Sequence, residues 1–242
     1  MQKSLTQMGG ELPPAAFDLK ATMQSFRRLA RYLHGASEFD VERIRFPSGG
    51  GISFEIPTGQ PDEPEVVREI TGIILKYSFT NVYWDKEFGD GDGSPACYSE
   101  DGISGWDTDG NETPCAVCPR NRYFSKPDGR GKACSNMVSL YILREGEALP
   151  LMLRIPPMSV ANFRSFLTRQ IIPRDLEVFQ VLTRIALTKA TNKGGAPYAQ
   201  AQFQAIGMLD ENEIGMLRKE ISPLLKLSGP ELTQEEFTQE EG

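Results

Sequence analysis

All four cysteines of the 242-residue chain fall within one 38-residue window, as Cys97-x17-Cys115-x2-Cys118-x15-Cys134. Thiolates at that spacing suit one tetrahedral ion, with Cys115 and Cys118 forming a short CxxC knuckle. Four sulfurs leave no open position for water, so the cofactor expected here is a single structural Zn²⁺. Two disulfides are the competing reading. The N-terminal MQKSLTQMGGELPP has no apolar run of signal-peptide length, and no later run reaches membrane-span length. A cytoplasmic, reduced chain with no membrane partner is therefore expected. Catalytic zinc would need His or carboxylate ligands, and the single histidine, His34, lies far upstream. No nucleophile–base pair can be built from it, so the chain does not read as an enzyme.

The net charge of −7 argues at first against a nucleic-acid partner. Its placement argues otherwise. Glu231, Glu235, Glu236, Glu240 and Glu241 stand in the final SGPELTQEEFTQEEG with no cation, so the rest of the chain is close to neutral. From Cys118 to Arg144 the chain carries Arg120, Arg122, Lys126, Arg130, Lys132 and Arg144 against Asp128 alone. The zinc segment is a basic island on an acidic protein. The tail has too little apolar content to fold and is expected to be disordered.

Periodicity predicts a helix over 17–34, with Leu19, Met23, Phe26, Ala30 and Leu33 on its apolar stripe and Arg27, Arg28 and Arg31 off it. A short strand follows at Ile52, Phe54 and Ile56. The longest β signal covers 67–84. It places Ile73, Leu75, Tyr77 and Phe79 on one face, and Ile74, Lys76, Thr80, Val82 and Trp84 on the other. A strand apolar on both sides suits one that bends through a small barrel. After the last cysteine, 139–144 and then Leu151, Leu153 and Ile155 read as strands. Pro156-Pro157 ends the second, and Ser159 is placed to cap a helix holding Val160, Phe163, Leu167 and Ile171. Phe179, Val181, Ile185 and Leu187, the turn TNKGGAPY, and Ala201, Phe203 and Ala205 form a hairpin. Asp210 caps a last helix.

The sum is α+β, mainly β: an OB-type barrel with an inserted four-cysteine zinc subdomain, flanking helices and a disordered acidic C-terminal tail. The expected divisions are a helical N-terminal arm over 1–40, an OB-like core over 41–228, and the tail over 229–242. The zinc subdomain falls at roughly 90–138 within the core.

A protein that binds single strands needs cations along the backbone path and aromatic faces for the bases. Arg120, Arg122, Tyr123, Phe124, Lys126, Arg130 and Lys132 supply both kinds, with Tyr141 on the next strand. Packing of Tyr123 and Phe124 on the zinc knuckle is the bland alternative. Arg184, Lys189 and Lys193 make a second basic surface on the hairpin, where a solvated sheet face is the competing reading.

The run GDGSPACYSEDGISG…CAVCPRNRYFSKPDGRGKACSNMVSLYIL, with LPLMLRIPPMSVANFRSF and LTKATNKGGAPYAQAQF, resembles a family carried by phages and mobile elements. The resemblance spans most of 45–210. Its layout is similar to the zinc-containing, OB-fold single-stranded DNA-binding proteins of T-even-type phages. Those proteins use one histidine with three cysteines, whereas this chain offers four cysteines. The resemblance implies Cys97, Cys115, Cys118 and Cys134 as zinc ligands and carries over no particular DNA contact.

The function expected is sequence-tolerant binding of single-stranded DNA in replication, recombination or repair of a phage or mobile element. The tail would dock replication or recombination proteins, and the N-terminal arm offers a route to self-association. The alternative is a zinc-ribbon interaction protein that regulates host transcription or defence machinery.

Overall fold

The computed structural model describes residues 12–32, 41–48, 50–60, 63–85, 95–192 and 194–221. Strand β4 (Glu69–Tyr83) organises them. Along one edge β4 runs antiparallel to β8 (Cys134–Leu143), β8 pairs with β9 (Leu151–Ile155), and β9 takes the short β1 (Arg43–Ile44) in parallel. Along the other edge the first residues of β4 pair with β10 (Val181–Thr191), which turns back as β11 (Pro197–Met208). The last three residues of β4 pair on that same edge with β5 (Cys97–Ser99), which leads to β6 (Ser104–Asp107) and β7 (Glu112–Pro114). A separate ribbon joins β2 (Phe54–Ile56) to β3 (Glu65–Val67). Helices α1 (Leu19–Tyr32), α2 (Pro157–Phe166) and α3 (Glu211–Ile221) flank the sheet. The fold is α+β, mainly β.

β4 is apolar on both faces because both are covered. Ile70 and Ile74 enter the larger core with Leu140, Leu153, Phe163 and Phe203. Ile73 and Leu75 enter a second core with Leu143, Leu182, Leu19, Met23 and Phe26 of α1, and Ile214 and Leu217 of α3. A bulge between Ile74 and Lys76 against β8 corrects the expected alternation. The extra residue turns the strand over, so Lys76 stands beside Tyr141 while Tyr77 and Phe79 join Phe163 on the larger core's side. Gly72 sits where β4 crosses β8. A Cβ there would meet Ile142 Cγ2 and Leu143 O at 2.7 Å each.

Leu19, Met23 and Phe26 of the predicted stripe dock α1 on the sheet, while Leu33 lies outside the described residues. Asp18 starts α1 by accepting from Ala21 N at 2.9 Å. Asp210 starts α3 through a reciprocal pair with Glu213, each bond 2.8 Å. Ser159 caps nothing. α2 begins at Pro157, whose missing N–H is harmless in the first turn, and Ser159 is buried within that turn.

The sheet does not close into a barrel among the described residues. β9 gives its outer edge to β1, and the outer edge of β11 is served by side chains where a barrel would place a strand. Ser159 Oγ accepts from Ala201 N at 2.9 Å, and Asn162 Nδ2 donates to Ala201 O at 2.8 Å. Gln170 Nε2 donates to Phe203 O at 3.2 Å, and Gln170 Oε1 accepts from Ala205 N at 3.0 Å. Buried backbone groups must be paired, and α2 with the π-helical turn after it (Leu167–Ile171) pairs these.

Candidate metal centre and nucleic-acid interface

The four cysteines reach one place from three directions. Cys97 opens β5 and Cys134 opens β8, and both pair with Tyr83, so the two thiols flank one residue of β4. Cys115 and Cys118 arrive from the turn after β7, where Cys115 N donates to Ile103 O at 2.7 Å. All four are unbridged and line one cavity of about 20 Å³, with Asn81, Tyr83, Gly105 and Arg120 among its other walls. That volume admits about one water-sized sphere. Gly105 makes the room: a Cβ there would stand 2.9 Å from Cys97 Sγ and 3.6 Å from Cys115 Sγ. Burial, then the neighbouring Cys115, Cys118 and Cys97, push the Cys134 thiol up to about 12, with Lys132 opposing. Burial, then Cys118 and Cys115, raise Cys97 as well, while Arg120 opposes. Four cysteine sulfurs converging on a space of that size are a donor set that fits a soft metal ion. Among the described residues no group of three or more Cys, His, Asp or Glu is already arranged as a metal site.

Asparagines tie this centre to the sheet. Asn121 Nδ2 donates to Cys115 O at 2.9 Å, Asn81 Nδ2 to Gly102 O at 3.2 Å, and Asn136 Nδ2 to Asn81 Oδ1 at 2.6 Å. Lys132, read from sequence as a phosphate contact, is half-buried and donates to Asn121 and Asn136 at 3.1 and 2.7 Å. Its ammonium also lies 5.5 Å from the Tyr123 ring. Arg120 stacks on Tyr83, its guanidinium 4.2 Å from the ring centre. At the β5–β6 turn, backbone N–H bonds from Ile103 and Ser104 and the Ser99 hydroxyl hold the Asp101 carboxyl below its usual range.

The loop 119–133 displays what remains. Ser125 donates to Arg120 O at 2.8 Å and accepts from Ala133 N at 2.9 Å, closing the loop's neck. Phe124 N donates to Gly131 O at 2.6 Å and holds Phe124 at φ 69°, a conformation costly for a bulky residue. Tyr123 and Phe124 are 73% and 78% exposed, so neither packs on the knuckle. Arg122 and Arg130 are exposed beside them, and Lys126 is half-buried. Trp106 is exposed on β6.

The other predicted contacts are placed elsewhere. Tyr141 is 6% exposed, packed with Val41 and Met152 under Lys76, so it presents no open face to a base. Arg184 bonds Gln204 and points to the opposite face of its ribbon from Lys189, by the unbroken register between them. Both lie toward the start of β4, whereas the thiols lie at its end. Arg144 pairs with Glu65 at 2.9 Å. Lys193 and the tail glutamates Glu231, Glu235, Glu236, Glu240 and Glu241 lie outside the described residues, as does His34. No protein-family model, curated protein or solved structure matches the chain. No helix among the described residues is long and apolar enough to cross a membrane.

Proposed function

We propose that the protein binds single-stranded DNA without strong sequence preference, in replication, recombination or repair of a phage or mobile element. The observation that carries this reading is the 119–133 loop. It holds two adjacent aromatic rings in solvent, one on a strained backbone, among Arg122, Arg130 and Lys126. Rings in that setting stack bases of any sequence, and the cations neutralise phosphates and release counterions. Strain retained at an exposed residue is a common mark of a working site.

Two further features support it. Zn²⁺ in the four-thiol cavity, held by Cys97, Cys115, Cys118 and Cys134, would supply no chemistry beyond fixing the root of the loop. The pairing order β9–β8–β4–β10–β11, with α2 between the third and fourth of these strands along the chain, is that of an OB barrel left open between β9 and β11. The zinc insertion then occupies the connection of the first two barrel strands, and the 192–196 turn that of the last two. Both positions border ligands in OB folds. The likeness to the phage family rests on the sequence runs quoted above.

The test is intrinsic Trp and Tyr fluorescence titrated with a single strand of about 30 nucleotides and with its duplex at two salt concentrations. Salt-sensitive quenching by the single strand alone supports the reading; silence toward both at low salt sinks it. A second reading, a zinc-ribbon module that docks on host transcription or defence machinery, is favoured by Ile103 and Val117, aliphatic and 69% and 61% exposed on the same subdomain. It gains if the strand gives no response.

A further inference from the structure

Between its pairings with β10 and β5, the edge of β4 from Ile74 to Thr80 meets no strand among the described residues. The opposite edge is laddered to β8 along that stretch, the bulge aside. The turn Val178–Gln180, which leads into β10, lies against β4 next to the β10 pairing, so the notch in the sheet is the shorter stretch around Tyr77 and Phe79, between this turn and the zinc ribbon. Sheet edges left open in the middle of a domain expose backbone donors and acceptors that most proteins cover.

The side chains at the notch are aromatic. Tyr77 and Phe79 are cross-strand neighbours of the fully buried Leu140 and Val138, yet Tyr77 is 36% exposed and Phe79 half-buried. Their rings meet edge to face at 5.9 Å, and Tyr77 rests against Phe163 at 5.1 Å. Tyr77 therefore shows solvent part of a ring packed against two others. Arg164, on the exposed side of α2, lies with its guanidinium 4.9 Å from the Phe79 ring centre and has no carboxylate partner among the described residues. The zinc ribbon closes the far side, for Gly102 approaches so near that a Cβ would stand 3.1 Å from Phe79 O.

Alternate residues of a strand share a face, so Tyr77, Phe79 and Tyr83 lie on one side of β4 over about 20 Å, with Asn81 buried between the last two. Arg164 lies over Phe79 on that side and Arg120 over Tyr83. Aromatic rings carrying guanidinium groups are the composition that holds bases and phosphates together.

We propose that the notch is a second contact for a single-stranded nucleic acid, Tyr77 stacking a base and Arg164 binding the adjoining phosphate. The strand then runs along β4 between the Tyr123–Phe124 loop and α2. This rests on the single-strand reading above.

The test compares wild type, Tyr77→Leu, Tyr77→Phe, Arg164→Gln and the loop variant Tyr123→Ala/Phe124→Ala, using fluorescence anisotropy of a labelled oligothymidylate over a salt series. Tyr77→Leu should weaken binding about five- to one-hundred-fold and Tyr77→Phe should restore it. Arg164→Gln should lower the slope of log K against log salt by about one. Arg164 is exposed, so its variant reads out even if Tyr77→Leu folds poorly. Photocrosslinking of a halogenated oligonucleotide to the wild type should mark the peptide holding Tyr77. If the wild type binds and the loop variant is impaired while Tyr77→Leu, Arg164→Gln and the crosslink show nothing, the notch is overturned and the reading stands. If the wild type fails to bind, both fall.

Discussion

Gln170 stands beside Ala205 as a strand would: the side-chain amide oxygen accepts from Ala205 N at 3.0 Å while the same amide group donates to Phe203 O at 3.2 Å. One side chain thereby satisfies two backbone groups on the edge of β11. Gln170→Leu removes both bonds and leaves an N–H and a C=O unpaired in a partly buried setting. A loss of about 1–3 kcal/mol is expected, read as a lower urea midpoint. Ser159→Ala, at a fully buried position, should cost a similar amount. Unchanged midpoints in both would show that α2 does not serve this edge.

Metal content tests the thiol cluster. The wild type should carry about one equivalent of zinc, and Cys118→Ser or exhaustive chelation should remove it. Loss of metal should melt the 97–134 region first, seen as lost amide protection in β5, β6 and β7. Protein that is free of metal and equally protected would rule the ion out as a structural element.

Phe124 separates stability from binding. At φ 69° a glycine is unstrained, so Phe124→Gly should keep or raise stability, by up to about 1 kcal/mol, while weakening single-strand affinity. Opposite signs in thermal melting and anisotropy identify a residue kept for what it touches. A fall in both would mean that the ring packs.

The tail offers a charge experiment. If the five glutamates of residues 229–242 compete with phosphates for the same cations, deleting that segment should tighten single-strand binding and flatten its salt response. Equal affinity and equal slope would leave the tail without this role.

What is legible in the sequence is local. The cysteine spacing, the Asp210 cap and the alternation of the 181–208 hairpin are set by neighbours a few residues away, and the cap and the hairpin stand in the fold as predicted with one exception. Phe179 lies in the turn Val178–Gln180 before the strand, packed on the second core. The faces of β4 beyond Ile74 are not legible, because the bulge exists only in relation to β8. Tyr141 looks available because it follows a basic segment, but Val41 and Met152 come from other parts of the chain to bury it. Lys132 looks like a surface cation, and three asparagines far apart in sequence make the network that engages it. The outer edge of β11 is served by side chains of α2 and the turn after it, and no periodicity records that.

Tyr83, with Cys97 on one side and Cys134 on the other, bears on the order in which the molecule is made. A chain growing from its N-terminus has β4 before any thiol, and it completes the set only as the first residue of β8 emerges. At that moment β9, α2 and the hairpin have yet to be synthesised. A slip of one residue between β4 and β8 would turn every later side chain of β8 to the wrong face. An ion gripped from both flanks of Tyr83 would fix that alignment at birth, before the core that depends on it exists.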